Sequence, residues 1–492
     1  MNYGAKYRLA EPFQYLEPNL VFFAPYSGNA PYQTNFLGSP HSMKGQIGTQ
    51  TGGILYRPGV PRYDGLTSKA ASFGRAITNL WTNPSIETNT TGFVAAVGAA
   101  LTRVAGIAEF GAYSLETVTP GAAVDEGWYT TSGLGGMPVV AAQNYTFSVY
   151  LQGSGTVIQR IYWYNAAGAF IASTDQNVTL QSTFTRSVLV GTAPALAAFA
   201  GISIRTDVIQ AITFYADALQ FENRNFVTEY CDGSLGTGFA WTGAAHASTS
   251  TRAAAYINYN NNSVLNGIQA SGTISMWIKT DSIMRNAIAE CMLHIIDPGG
   301  GEVIAYIGMG ATYDYIYALW GIGATCSCPE GLLNYGEYNH IAISFDGRYI
   351  KIYINGVLTA TTLTASTGFT NNFTTMYVGD LGIGANYFDG RIDDLMIFDR
   401  TLSEGEIKEI HNFGYSIGAY ESDGCNFDPA FVTNGHNKAN ITHAYIRSNA
   451  GVWSNNLMTE PLPFLLQPAV PVAGDCIYFG CDTSALDSGF FS

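Results

Sequence analysis

Tyr145-Thr-Phe-Ser-Val-Tyr-Leu-Gln152 places Tyr145, Phe147, Val149 and Leu151 on one face of an extended chain and most of its polar residues on the other. A period of two reads as a strand with one face turned to a core. Similar short runs follow at 157–164, 184–190, 200–205 and 212–221, and Gly, Pro, Asn or Ser join them. No periodic helical stretch separates these runs. Closely spaced strands with turn residues between them predict an antiparallel sandwich rather than a parallel sheet with crossover helices.

The pattern resumes downstream. Ile274-Ser-Met-Trp-Ile278 and His340-Ile-Ala-Ile-Ser-Phe345 alternate, and Asp346-Gly347 and Asn355-Gly356 supply the positive φ that tight hairpins need. Ser403, with Glu406 three residues on, reads as the capping box of one short helix. The chain is therefore expected to be all-β: tandem or nested antiparallel β-sandwich jelly rolls with a short C-terminal β-segment. The expected divisions are an N-terminal arm or docking segment at 1–78, a first jelly roll at 79–232, and a Gly, Ser and Thr linker at 233–252. A second sandwich follows at 253–413 and a β-rich interaction segment at 414–492.

Composition narrows the function classes. Apolar residues make up 47% of the 492, enough to fill two or three cores, which excludes intrinsic disorder. Charged residues make up only 12%, and the formal net charge is −15 with no basic run, which argues against a nucleic-acid partner. No run approaches the ~18 apolar residues of a membrane span, so no membrane insertion is expected. The opening residues 1–13 carry no apolar h-region, so no export signal is read there. The 7 cysteines are an odd number at irregular spacing and read as packed free thiols.

Two blocks carry a family likeness. Asn83-Pro-Ser-Ile-Glu87, Tyr145–Tyr150 and Phe214-Tyr-Ala-Asp-Ala-Leu-Gln220 resemble carbohydrate-binding modules of the family 4/9/22 type over about 79–232. Tyr338–Phe345, Ile350–Gly356 and Phe388-Asp-Gly-Arg-Ile-Asp-Asp-Leu-Met-Ile-Phe398, with Leu402-Ser403-Glu404-Gly405-Glu406-Ile407 after them, resemble laminin-G-like (concanavalin A-like) domains over about 253–413. Asn339 departs from that pattern, since many members carry Trp there. Leu20–Pro25 and Ala71-Ser72-Phe73 also resemble the opening of a laminin-G-like domain. This resemblance implies, as one alternative to a tandem arrangement, that the first jelly roll is inserted in the second and that the N-terminal strands pair with residues beyond 253. The tract from Tyr230 to Arg252 resembles connectors in tail and fibre proteins of bacterial viruses.

The first resemblance implies a structural calcium held by Glu87 and Asp217. The alternative is that Glu87 caps backbone amides and Asp217 closes a turn. Asp393 and Asp394 alternate along a strand, so one of them is expected to face inward, as a structural carboxylate or as a ligand of a second calcium. Jelly rolls bind glycans through aromatic faces, and the candidates here are Trp128, Tyr129, Tyr162, Trp163 and Tyr164, with Trp241 and Trp320 elsewhere. Tyr162 and Tyr164 share one face of their strand and Trp163 takes the other. The competing role for each is core or interface packing.

No Glu-x-Asp-x-(x)-Glu strand, nucleophile elbow, zinc motif or phosphate-binding loop is present. The expectation is a protein that is not an enzyme. It is read as a virion structural component of the capsid decoration, fibre or tail-surface kind. Its partners would be other virion proteins, copies of itself and cell-surface glycans. The alternative is an extracellular glycan-binding adhesin, or an accessory module of a glycoside hydrolase.

Overall fold

The computed structural model describes residues 49–59, 69–260, 263–280, 290–298, 302–307, 315–364, 369, 371–382, 384 and 386–413, together with strands at 6–9, 20–24, 34–37, 44–47, 417–420, 443–447 and 476–480. It is all-β, with one α-helix at Glu404–Phe413 among the described residues. Every pairing of the named strands is antiparallel, as the turn-punctuated alternation predicts.

The first sandwich packs two sheets. One has the order Ala100–Ala105, Tyr113–Val118, Thr213–Glu222, Asn144–Gly153, Thr185–Thr192. The other runs Phe170–Thr179, Thr156–Asn165, Ala197–Thr206, Gly127–Thr130, Phe93–Ala96. Phe147, Val149 and Leu151 meet Trp128, Ile161, Trp163 and Ile202 between the sheets, all 2% exposed or less. Tyr145 stacks on Phe221 at 5.3 Å within this core. Thr146, Ser148 and Tyr150, on the opposite face of the 144–153 strand, are also buried. Tyr150 is covered by Phe110 and Tyr230, which explains why its strand carries an aromatic on both faces.

The second sandwich is assembled from both ends of the chain. Leu20–Ala24 and Lys69–Phe73 pair with Gly390–Phe398, and Thr49–Thr51 pairs with Tyr256–Asn260. Phe22 and Tyr259 meet edge-on at 5.3 Å in its core. The described strands between Leu20 and Phe73 are thus woven into this sandwich, where an arm would have stood free. Residues 77–252 leave it and return through adjacent strands, Ile77–Asn79 and Ser250–Arg252. The 233–252 stretch is not a loose linker. Phe239–Trp241 and Ser250–Arg252 form a three-stranded sheet with Ile77–Asn79, and the Arg252 side chain is buried with Nε donating to the Gly53 carbonyl at 2.7 Å. Most of 414–492 lies outside the described residues. Within it Ile417–Tyr420 pairs with Lys6–Leu9, and His443–Arg447 pairs with Cys476–Gly480.

Local chemistry sets the turns and ends. Asn355 and Gly356 have φ of 51° and 75°, the two positive values that a two-residue hairpin with the sheet's twist requires. The capping box is reciprocal: Ser403 N–H donates to Glu406 Oε2 at 2.7 Å, and Glu406 N–H donates to Ser403 Oγ at 3.3 Å. Ile407 and Ile410 seat the helix. Cys231, Cys291, Cys326 and Cys328 are buried free thiols.

Strict alternation fails at Asp393 and Asp394, both fully buried. The register of the 390–398 strand against Gly272–Lys279 slips between Ser275 and Trp277, and Asp394 takes a φ of 45°. This bulge inserts an extra residue, so neither carboxylate lies on the solvent face.

Candidate functional site

The 156–165 strand alternates buried and half-buried residues, so Val157, Gln159, Ile161 and Trp163 point into the first sandwich and Ile158, Arg160, Tyr162 and Tyr164 point out of it. The neighbouring strand adds Arg205 to the same outer face, and Gly127–Thr130 adds Tyr129. Across the hairpin at 165–169, Phe170 stands opposite Tyr164. Tyr162, Tyr164 and Phe170 form a triangle with ring centroids 6.1 to 6.4 Å apart. The Phe170 ring is 59% exposed and Leu134 beside Gly168 is 67% exposed, so the platform opens to solvent at this end.

Two arginines border the aromatic rings. Arg205 lies 4.9 Å from the Tyr129 centroid and 5.6 Å from that of Tyr162. Arg160 donates to the Tyr162 hydroxyl at 3.0 Å and pairs with Asp175 at 2.9 Å and Asp125 at 3.3 Å. Flat apolar faces beside fixed donors and acceptors can stack on a sugar ring and bond its hydroxyls.

Of the five aromatic candidates, the structure brings Tyr129, Tyr162 and Tyr164 together on this face. Trp128 and Trp163 are corrected to core residues, 0% and 1% exposed. Each neighbours an outward tyrosine in sequence, and a strand sends neighbours to opposite faces. Trp320 is buried in the second sandwich, and Trp241 packs on His246 at 4.8 Å, far along the chain from the platform. Phe170 and Arg205 were missed. The Asn-Ala-Ala-Gly turn at 165–168 was the signal for Phe170, because it folds residue 170 back beside 164.

The implied calcium ligands, Glu87 and Asp217, converge on one loop. Asp217 Oδ2 accepts from Glu109 N–H at 2.8 Å and Phe110 N–H at 2.9 Å, and Oδ1 accepts from Ala218 N–H at 2.6 Å. Glu87 Oε1 accepts from Ala112 N–H at 2.8 Å and Tyr113 N–H at 3.2 Å. Burial raises the Asp217 carboxyl to about 7, against the three amides that act to lower it; the nearby Glu87 raises it further. Calcium needs six to eight oxygens. Here amide hydrogens already bond both Asp217 oxygens and Glu87 Oε1. Among the described residues no three acidic, His or Cys side chains cluster as a metal site. The donor set does not fit calcium.

Where the insertion meets the second sandwich, the Arg391 guanidinium grips Glu229 at 2.9 and 3.1 Å. Arg57 lies 3.7 Å from Glu229 and 2.7 Å from Glu109, over the Phe110 ring at 4.4 Å. Burial acts to raise the Glu229 carboxyl, but Arg391 and Arg57, with Arg186, outweigh it and hold it at about 2.

Residues 249–408 match the model of the concanavalin A-like lectin/glucanases superfamily, so a domain of this kind is supported for the part of the second sandwich that follows the insertion. Among solved structures the chain is similar to the binding domain of botulinum neurotoxin DC in complex with SialylT, at 19% identity over 33% of this chain and 40% of that one, with a TM-score of 0.27. It is also similar to the receptor binding domain of botulinum neurotoxin C/D mosaic serotype, at 20% identity over 32% and 40%, TM-score 0.27. For the binding domain of botulinum neurotoxin serotype C1 the values are 17% identity over 33% and 41%, TM-score 0.27. The chain spans about two fifths of the length of these structures. No curated protein matches the chain.

Proposed function

We propose that this chain is a non-enzymatic surface component of a virion, a capsid decoration, fibre or tail-surface protein, that binds cell-surface glycans through its inserted jelly roll. The observation that carries the glycan reading is the outward platform of Tyr129, Tyr162, Tyr164 and Phe170, with Arg160 held against Tyr162. Phe170 is exposed and Tyr129, Tyr162 and Tyr164 are half-buried beside it on the outer face of the sheet, and a ligand face accounts for aromatics gathered there. The virion reading is supported by the likeness of the 230–252 tract to tail and fibre connectors. The low charge and abundant Tyr also suit extensive subunit contacts.

A glycan array with the whole chain tests the first part. The wild type is expected to bind, and Tyr162→Ala with Tyr164→Ala is expected to weaken binding about tenfold or more, as loss of central aromatic contacts does. Unchanged binding by a folded double variant overturns it. Sedimentation of the purified chain tests the second part, with self-assembly expected and a strict monomer counting against a fibre subunit. Reducing-sugar release from a polysaccharide panel would overturn the non-enzymatic reading.

A further inference from the structure

Arg205 is placed unlike its neighbours on the aromatic face. Its side chain makes no hydrogen bond and no ion pair among the described residues, and its Nε is buried without an acceptor. Its contacts are the rings of Tyr129 and Tyr162. Stacking between aromatic faces orients a planar guanidinium but leaves its charge uncompensated. A buried N–H without an acceptor carries a desolvation cost that an incoming oxygen relieves.

The carboxylates nearby do not supply that oxygen. Asp125 and Asp175 are both engaged by Arg160, at 3.3 and 2.9 Å. Asp207, past the end of the strand that carries Arg205, accepts from the Thr156 hydroxyl at 2.6 Å. Ser203, between Tyr129 and Arg160 in the ladder, is buried with its hydroxyl also unpartnered. Two guanidiniums and two aspartates leave the centre of the face neutral in a chain of net charge −15. The guanidinium of this face without a carboxylate partner is Arg205.

We infer that the platform takes a saccharide bearing a carboxylate, its ring on Tyr162 and Tyr164 and its carboxylate on Arg205. This rests on reading the face as a glycan site. A planar fork suits a carboxylate through two parallel N–H bonds, which a neutral hydroxyl cannot match. The carboxylate has two natural sources, a hexuronic acid or a sialic acid, and the same chemistry serves both.

The experiment is calorimetric titration of the whole chain with four probes. These are oligogalacturonate and its methyl ester, in which a methyl group replaces the carboxylate charge, and sialyllactose and lactose, which differ by the acidic sugar. One acidic probe is expected to bind about tenfold more tightly than its uncharged counterpart, the worth of one charge-assisted pair. The probe that does so identifies the source. Arg205→Gln is expected to abolish the preference for the acidic probe, and Arg205→Lys to restore part of it. Equal binding of charged and uncharged probes, or a preference that survives in Arg205→Gln, overturns the inference alone, provided that the Tyr162→Ala, Tyr164→Ala variant still loses binding. Binding that persists in that tyrosine variant overturns the inference and the glycan reading of the face together. Binding of none of the four probes overturns the inference and leaves the glycan reading to the array.

Discussion

Asp217 and Asp393 hold the same position in two different sandwiches. Each accepts the N–H of the residue after it, Ala218 at 2.6 Å and Asp394 at 2.9 Å, and each of those residues has a positive φ, 52° and 45°. Both sit where the ladder slips register, beside Tyr150 in the first sandwich and Trp277 in the second. A residue without glycine's freedom pays about 1–2 kcal/mol to enter the left-handed region. A short acceptor immediately before it offsets part of that cost. The shared Asp-x-Leu, Asp217-Ala218-Leu219 and Asp393-Asp394-Leu395, therefore clamps a bulge in each sandwich.

Asp217 makes stability depend on pH. Its carboxyl is raised from 3.8 to about 7 in the folded chain, so the folded state holds a proton that the unfolded state has released. The stability this confers is complete below pH 3.8 and is lost as pH rises to about 7, at up to ~1.4 kcal/mol per pH unit for one group. Asp217→Asn is expected to flatten that descent in urea unfolding measured from pH 4 to 8.

His340 works in the opposite direction. It is buried beside Trp277 at 5.1 Å, with Nε2 2.8 Å from Ser275 Oγ. Burial, and then His411, pushes it from 6.5 down to about 3. It stays neutral in the fold, so its contribution is present above pH 6.5 and is lost as pH falls toward 3. The two slopes oppose each other over the same range. His340→Gln is expected to expose the fall with rising pH that Asp217 causes, and Asp217→Asn to expose the rise that His340 causes.

Glu229 joins the insertion to the sandwich that carries it. Its side chain is 6% exposed, and Arg391 and Arg57 are 11% and 17% exposed. Removing one partner strands buried charge, so Glu229→Gln is expected to cost about 3–5 kcal/mol. Its carboxyl is lowered from 4.5 to about 2, so the stability it gives is present above pH 4.5 and is lost as pH falls toward 2. Calorimetry on the wild type and the variant is expected to converge at the acid end. A difference that persists unchanged at pH 2 would count against an ionic origin.

Amide donors occupy both Asp217 oxygens and Glu87 Oε1, so excess chelator is expected to leave the melting temperature unchanged. A fall on chelation, reversed by added calcium, would show that the 109–113 loop turns its carbonyls inward instead. Glu87→Gln keeps an acceptor for Ala112 and Tyr113 and is expected to cost about 1 kcal/mol or less.

What local chemistry governs was legible in the residues themselves. The two-residue period at 145–152 placed Phe147, Val149 and Leu151 in a core, and Asn355-Gly356 and Ser403 with Glu406 marked a turn and a helix start. Each depends on neighbours a few positions apart. The same rule puts Tyr162 and Tyr164 on one face without reference to any sheet. It also placed Trp163 on the other face, which assigns Trp163 to the core once the side facing solvent is known.

Tertiary structure decided the rest, because strand pairing joins residues that no local pattern links. Only the assembled sheets show that Thr49–Thr51 lies beside Tyr256–Asn260 and that the bulge at Asp393 buries both aspartates. Which tyrosines meet a guanidinium left without a partner is settled the same way. Arg205 stacks on Tyr129 and Tyr162 because three strands far apart in the chain lie side by side, and hydrogen-bonded register, not sequence distance, sets which side chains touch.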